Sequence, residues 1–236
     1  MNKDQYSGKF SDVYDTFLEE ERVAKEVEYL TSFLSDGEKK ILDVGCGTGN
    51  HSIAFARKNY DVVGYDPSKD MIRRAKSKSK QEGLDVNFFS GSLDEVLENN
   101  FDFCCSMFNV VNHITEKDDL LKFFRSVEKK LKPNGRFVFD TFNLERVKRD
   151  PPNDKKYKNG YTSSATYFNE TDLMEIKYDD GVSKFDLLQR IWSLKFITEM
   201  LKLSNLKVEK IYKWYRKQNY ENSDYKLTFV CTKGNK

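Results

Sequence analysis

Apolar residues in this chain recur with two different periods, and the switches between them mark out an alternating order of helices and strands. Val23, Val27, Leu30 and Leu34 fall three or four residues apart, which predicts a helix over 20–34 that packs one face on a sheet and ends at Asp36-Gly37. The run Ile41-Leu42-Asp43-Val44 then reads as a buried strand, followed by a loop with glycine at every second position and a helical pattern from Asn50. Residues 60–66 repeat the strand pattern, with a helix starting near Pro67, and 86–93 and 101–108 give a third and a fourth strand. A helix end, the turn Pro133-Asn134-Gly135 and a fifth strand follow over 131–140. This order predicts an α/β chain built on a doubly wound, mostly parallel sheet.

Beyond the fifth strand the pattern changes. Residues 149–156, with Pro151-Pro152, predict an exposed loop. Three alternating segments at 163–169, 172–178 and 183–193, with the tight turn Asp179-Asp180-Gly181 between the last two, predict a small antiparallel insertion. A helix over 196–203 and strands at 208–212 and 227–231 complete the order. At the other end, aromatics at 6, 10, 14 and 17 share one helical face.

The glycine loop carries the first chemistry. Its spacing is Gly45-x-Gly47-x-Gly49, with Asn50 where a dinucleotide-binding G-x-G-x-x-G would need its third glycine. Asp43, two residues before the first glycine, would repel a pyrophosphate and suits a cationic ligand. With so few side chains, the loop lets a ligand lie against the backbone, where the N–H groups of the next helix start are expected to point. The second strand also ends in an acid. Asp66 lies near the spacing at which a carboxylate meets ribose hydroxyls in this architecture, with a helix N-cap as its competing role.

The segment Asp43-Val44-Gly45-Cys46-Gly47-Thr48-Gly49 resembles the first motif of the class I S-adenosylmethionine-dependent methyltransferases, D/E-x-G-x-G-x-G, and the resemblance extends over roughly residues 37 to 143. It implies S-adenosylmethionine as cofactor and a Rossmann-like sheet whose last strand is antiparallel. Residues 1–143 and 194–236 would form the cofactor-binding domain, and 144–193 an inserted antiparallel lid. It further implies that Asp43, Gly45, Cys46, Gly47 and Gly49 form the cofactor loop, that Asp66 binds ribose, and that Met71, Ser92 and Leu93 meet adenine. Many relatives carry an acid where this chain has Ser92. Tyr14 is the candidate for an N-terminal segment covering the cofactor, and Phe108 lines the same site.

Methyl transfer needs no dedicated catalytic signature, because the sulfonium methyl is already activated. Acceptor residues are expected after the fourth strand, in Phe108-Asn109-Val110-Val111-Asn112-His113, a pattern similar to that of sugar-amine N-methyltransferases. His113 is the candidate general base there, with Asn109 and Asn112 beside it, and His51 is expected as a packing or backbone partner. The Asn-Pro-Pro-Tyr type of sequence that marks amino-group methylation of DNA bases and protein glutamine is absent.

Composition narrows the partners. The 236 residues hold 40 basic and 38 acidic side chains, a formal charge of +2, which gives no global pull towards nucleic acid. Basic runs at 73–80 and 207–217 leave an RNA methyltransferase as a second reading, and a non-catalytic cofactor-binding regulator is a third. Two histidines and four cysteines without metal spacing argue for no metal site and for reduced core thiols, hence a cytoplasmic setting. No apolar stretch reaches membrane-spanning length, and Met1-Asn2-Lys3-Asp4-Gln5 lacks a signal-peptide core. The expectation is a monomer or homodimer acting on nitrogen or oxygen of a small molecule.

Overall fold

A computed structural model describes residues 8–234, apart from the side chain of Glu20. Seven strands form one sheet: β1 (Lys40–Val44), β2 (Asp61–Tyr65), β3 (Asn87–Phe89), β4 (Phe101–Ser106), β5 (Leu131–Phe142), and, after an insertion, β10 (Leu206–Lys213) and β11 (Lys226–Lys233). Their spatial order is β10-β11-β5-β4-β1-β2-β3. The pairs β1–β2, β1–β4, β2–β3 and β4–β5 are parallel, and β11 runs antiparallel to both β5 and β10. The predicted fold class therefore holds, reversed strand included. The order turns around between β1 and β4, where crevices at the carboxyl ends of the strands take ligands in such sheets.

Period-two patterning divides the core into two layers. Leu42, Val44, Phe137, Phe139 and Phe229 face α5 (Lys117–Lys130) and α7 (Leu194–Leu203), meeting Leu120, Phe124, Ile197 and Leu201. Their neighbours Ile41, Val138 and Val230 face the other way, against α2 (Glu20–Thr31) and α3 (Asn50–Arg57) through Val27, Leu30 and Phe55. Cys46, Cys104, Cys105 and Cys231 are buried and unpaired. No helix among the described residues is long and apolar enough to cross a membrane.

Several boundaries differ from the sequence reading. The N-terminal aromatic stripe is a short helix, α1 (Lys9–Val13), continued by a 3-10 turn (Tyr14–Phe17); Tyr6 lies outside the described residues. The turn tightens because Thr16 Oγ1 donates to the Val13 carbonyl and Asp15 is drawn to α3 and to α4 (Lys69–Gln81). Ser68, not Asp66, caps α4, accepting from the Met71 N–H. Pro133-Asn134-Gly135 is absorbed into β5, where the register with β4 slips between Phe101 and Phe103 and Asn134 takes a positive φ of 59°. Part of the chain after β5 is helical: α6 (Leu144–Arg149) precedes the Pro-Pro loop.

The insertion is a four-stranded antiparallel sheet, β6 (Lys155–Lys156), β7 (Thr162–Phe168), β8 (Leu173–Asp179) and β9 (Lys184–Arg190), in sequence order. The N-terminal segment bridges the two sheets. Phe10 and Phe17 pack on Tyr178, with Phe10 also on Phe185 and Phe17 on Tyr157 and Tyr161, ring centroids 5.0–5.8 Å apart. Asp15 Oδ1 accepts from the Asn50 amide (2.8 Å) and from Thr48 Oγ1, and its Oδ2 from Lys78 Nζ (2.8 Å).

Candidate functional site

The loop between β1 and α3 forms the floor of a cleft of about 690 Å³. Its three glycines all have positive φ, at 78°, 54° and 80°, but they serve different ends. A Cβ on Gly45 would lie 2.6 Å from a Val110 methyl, and one on Gly49 2.8 Å from the Phe88 ring, so these two allow close packing. A Cβ on Gly47 would meet nothing nearer than the Tyr14 ring at 3.7 Å, so Gly47 keeps the floor open.

Four of the loop's own N–H groups are engaged within the fold. Gly45 and Cys46 donate to the Tyr65 carbonyl (2.7 and 2.9 Å), Gly47 to Asp66 Oδ2 (2.9 Å), and Gly49 to the Cys46 carbonyl (2.9 Å). A phosphate would find these four donors already spent and would face two carboxylates. The loop is closed on itself because the β2 end lies directly behind it.

Those carboxylates set the electrostatics. Asp66 accepts from the N–H groups of Gly47 and Ser68 (2.9 and 2.8 Å), and Asp43 from Ser52 Oγ (2.6 Å) and Cys105 Sγ (3.7 Å). Burial raises the Asp66 pKa from 3.8 to about 6 against the pull of its two backbone donors, with the nearby Asp43 adding to the rise. Burial also raises Asp43. Two desolvated acids on one cleft favour a ligand that brings positive charge and hydroxyl donors.

Tyr14, Asp43, Gly45, Cys46, Gly47, Asp66, Met71, Phe108 and His113 all line this cleft. Ser92 and Leu93 line an adjoining hollow that shares Gly45, Pro67 and Val110 with it. Gly49 stands behind the floor. Beyond the cleft opens a second, larger cavity that is open to solvent on one side and bounded by the inserted sheet, β11 and the 213–216 corner. Tyr14, Leu18, Phe108 and His113 line both spaces and form their common wall.

The segment after β4 shapes that wall. Phe108 and Asn109 both hold left-handed backbone, φ 64° and 60°, a conformation that costs a non-glycine residue roughly 1–3 kcal/mol and needs support. Asp140 gives it: one oxygen accepts from the Asn109 N–H (2.6 Å), the other from Trp214 Nε1 (2.7 Å). Asn109 lines the outer cavity. Asn112 lines neither space. Fully buried, it donates to the Arg190 carbonyl and accepts from Thr141 Oγ1 and the Phe142 N–H, tying the wall to β9 and β5.

His113 sits where the two spaces meet, but its chemistry differs from a general base. Burial lowers its pKa from 6.5 to about 3, so the ring stays neutral. The Gln189 amide donates to His113 Nε2 (2.8 Å), occupying that lone pair. Burial and the engaged nitrogen both weigh against a general-base role for this ring. His51 also lines the cleft, and its partner is a side chain: Nε2 lies 3.0 Å from Glu26 Oε2, while Arg22 Nε pairs with Glu26 Oε1 (2.7 Å). Glu26 was not singled out from sequence, although a carboxylate on the Val23–Val27–Leu30 stripe was a signal. Arg22, Gln189, Trp214 and Lys226 gave no signal, because only the fold brings them together.

Comparison with known proteins places this site in context. Residues 41–135 match a protein family described as a methyltransferase domain. The chain is 31% identical over 151 residues, 60% of its own length and 57% of the relative's, to a putative methyltransferase, YqeM, of Bacillus subtilis. It spans about half the length of the curated relatives it matches first. Among solved structures, an S-adenosylmethionine-dependent methyltransferase from Clostridium acetobutylicum superposes with a TM-score of 0.78 at 23% identity, covering 96% of this chain and 98% of that one. CalS10, an amino pentose methyltransferase from Micromonospora echinaspora, does so with a TM-score of 0.71 at 16% identity, covering 97% and 98%. At these identities the likeness is one of fold.

Proposed function

We propose that this chain, whose residues 41–135 match a methyltransferase domain family and whose sheet shares the fold of solved S-adenosylmethionine-dependent methyltransferases, transfers a methyl group from S-adenosylmethionine to a nitrogen or oxygen of a small-molecule acceptor. The observation that carries this reading is the common wall: an acid-lined cleft and a larger cavity meet at Tyr14, Leu18, Phe108 and His113.

Bound in the inner cleft, S-adenosylmethionine would supply a methyl carbon made electrophilic by its cationic sulfur. Asp66 would hold the ribose hydroxyls, because an ionised carboxylate accepts from both. The hollow at Ser92 and Leu93 would take the adenine, and Asp43 adds negative field beside the loop. Tyr14, Leu18 and Phe108 restrict water at the junction, and desolvation of both partners favours an in-line displacement. His113 acts as a neutral positioning residue. An amine acceptor would shed its proton to water in the outer cavity, not to this ring. The inserted sheet serves as the lid of the acceptor space, and residues 144–193 as its unit.

One observation weighs against an RNA substrate: Arg73, Arg74 and Lys78 of the basic run on α4 are each paired with a carboxylate, Asp70 (2.6 Å), Asp12 and Asp15 (2.8 Å), which lowers the net positive charge this face offers to phosphates. The deciding experiment incubates the protein with methyl-labelled S-adenosylmethionine and a cell extract, then identifies the labelled product. Label in a metabolite is expected. Label in RNA, or cofactor binding without turnover on any fraction, would replace this reading by an RNA enzyme or a regulator.

A prediction follows for His113. With the acceptor in hand, His113→Asn slows turnover about tenfold or less and leaves the shape of the pH–rate profile unchanged, with no limb near pH 6.5 assignable to this ring. A wild-type acidic limb that disappears in the variant would restore the general base.

A further inference from the structure

The outer cavity is unevenly charged. Arg22, Lys155, Lys213, Arg216 and Lys226 line it against a single carboxylate, Asp224, in a chain whose basic and acidic residues nearly balance. Two of the five cations are satisfied within the fold: Arg22 by Glu26 and Lys213 by Asp224, each at 2.7 Å. No carboxylate of the described residues lies within ion-pair distance of Lys155, Arg216 or Lys226. Lys155 and Arg216 are exposed at the rim.

Lys226 is the inner member of this group. It is half-buried on β11, with its ammonium 4.4 Å from the Trp214 ring centroid and 5.1 Å from that of Phe142. Asp140, the acid nearest in effect, already accepts from Asn109 and Trp214. Burial pulls the ammonium below its usual range, and Asp140 offsets this only in part. The two ring faces stabilise the ammonium without neutralising it, so its charge stays available to an anion that enters the cavity.

A second observation concerns the same wall. Asn109 Oδ1 and Gln189 Oε1 are buried without a hydrogen-bond partner among the described residues, and both residues line this cavity. Amide oxygens only accept, and both are closed off from solvent, so a donor on an acceptor molecule reaches them once the Asn109 and Gln189 side chains turn towards the cavity. Asn109 adjoins Phe108 in the common wall, and Gln189 binds His113 there. The cavity thus asks for hydrogen-bond donors near the junction and for negative charge at its outer end.

Resting on the reading of this cavity as the acceptor site, we infer that the acceptor is a small anion: its carboxylate or phosphate is held by Lys226, with Arg216 and Lys155 at the rim, and its N–H or O–H group faces Asn109 and Gln189. The test titrates benzoate, phenyl phosphate and neutral benzamide into the protein in low-chloride buffer, followed by calorimetry or ligand-observed NMR, with S-adenosylmethionine titrated alongside. At least one anion should bind tenfold or more tighter than benzamide, and which one does separates a carboxylic acid from a phosphate ester. Lys226→Met should weaken that anion about tenfold to a hundredfold, Lys226→Arg should retain it, and S-adenosylmethionine affinity should stay within about twofold in both. Benzamide binding as well as both anions, or Lys226→Met binding the anion unchanged, would overturn the inference. Should Lys226→Met fail to fold, Arg216→Met, at the exposed rim, must still lower anion affinity severalfold. Loss of S-adenosylmethionine binding by the wild-type protein would instead overturn the methyltransferase reading and leave the anion result standing.

Discussion

Replacing Gly47 with valine is expected to weaken S-adenosylmethionine binding by at least about a hundredfold while the chain still folds. The branched side chain would stand on the open floor of the inner cleft, where a Cβ has only the Tyr14 ring at 3.7 Å for a neighbour. At φ 54°, valine also carries the strain of left-handed backbone, roughly 1–2 kcal/mol. That corresponds to a fall in Tm of roughly 2–8 °C for a domain of this size. Gly49→Val makes the contrast, since its Cβ would press on Phe88 at 2.8 Å and Ala75 at 3.0 Å, and the loss there should appear in stability first. Calorimetry with thermal unfolding on both variants separates the two. A Gly47→Val protein that binds the cofactor normally would mean the cofactor does not lie on this loop.

The second large effect belongs to Asp66. Asp66→Asn should cost tenfold to a hundredfold in cofactor affinity, the loss of charge-assisted hydrogen bonds worth about 1.5–3 kcal/mol. Its signature is the pH dependence. The free carboxyl titrates at about 6, and a cationic ligand with hydroxyl donors prefers the ionised form. Wild-type affinity should therefore be flat above about pH 7 and fall as pH drops through 6, whereas the Asn variant should show no such slope. In the unliganded protein the sign is reversed. The folded pKa of about 6 lies above the ordinary 3.8, so this group's contribution to stability is full below pH 3.8 and is lost as pH rises through 6. Equal affinity in variant and wild type, with parallel pH profiles, would remove Asp66 from the ribose.

What the sequence made legible follows from the range of the interactions involved. The strands around Ile41–Val44 and 137–139 could be read because alternation is local, and the Gly-x-Gly-x-Gly loop because left-handed backbone writes itself into residue type. Asp43 and Asp66 were reached differently, from their places at the ends of two strands and the motif the first of them opens. The fate of the loop N–H groups was not legible, since the Tyr65 carbonyl and Asp66 that accept from them come from the next strand. Nor was the depression of the His113 pKa, which depends on burial by elements up to 76 residues away, Gln189 among them. Asn112 looked like chemistry beside the site and proved to be a strap whose partners, Arg190, Thr141 and Phe142, lie on distant strands. Arg22, Trp214 and Lys226 converge only once α2, the 213–216 corner and β11 are assembled.

The inserted sheet contributes Ser163, Ala165, Ile176, Leu187 and Gln189 to the outer cavity and nothing to the inner cleft. Under the proposed function, substitutions at Ser163 or Ala165 would reshape the acceptor space and leave the donor cleft untouched, whereas Gln189 and Leu187 reach that cleft through His113 and Met71. Tyr14, Leu18, Phe108 and His113 enjoy no such liberty, because any change in them is felt on both sides at once.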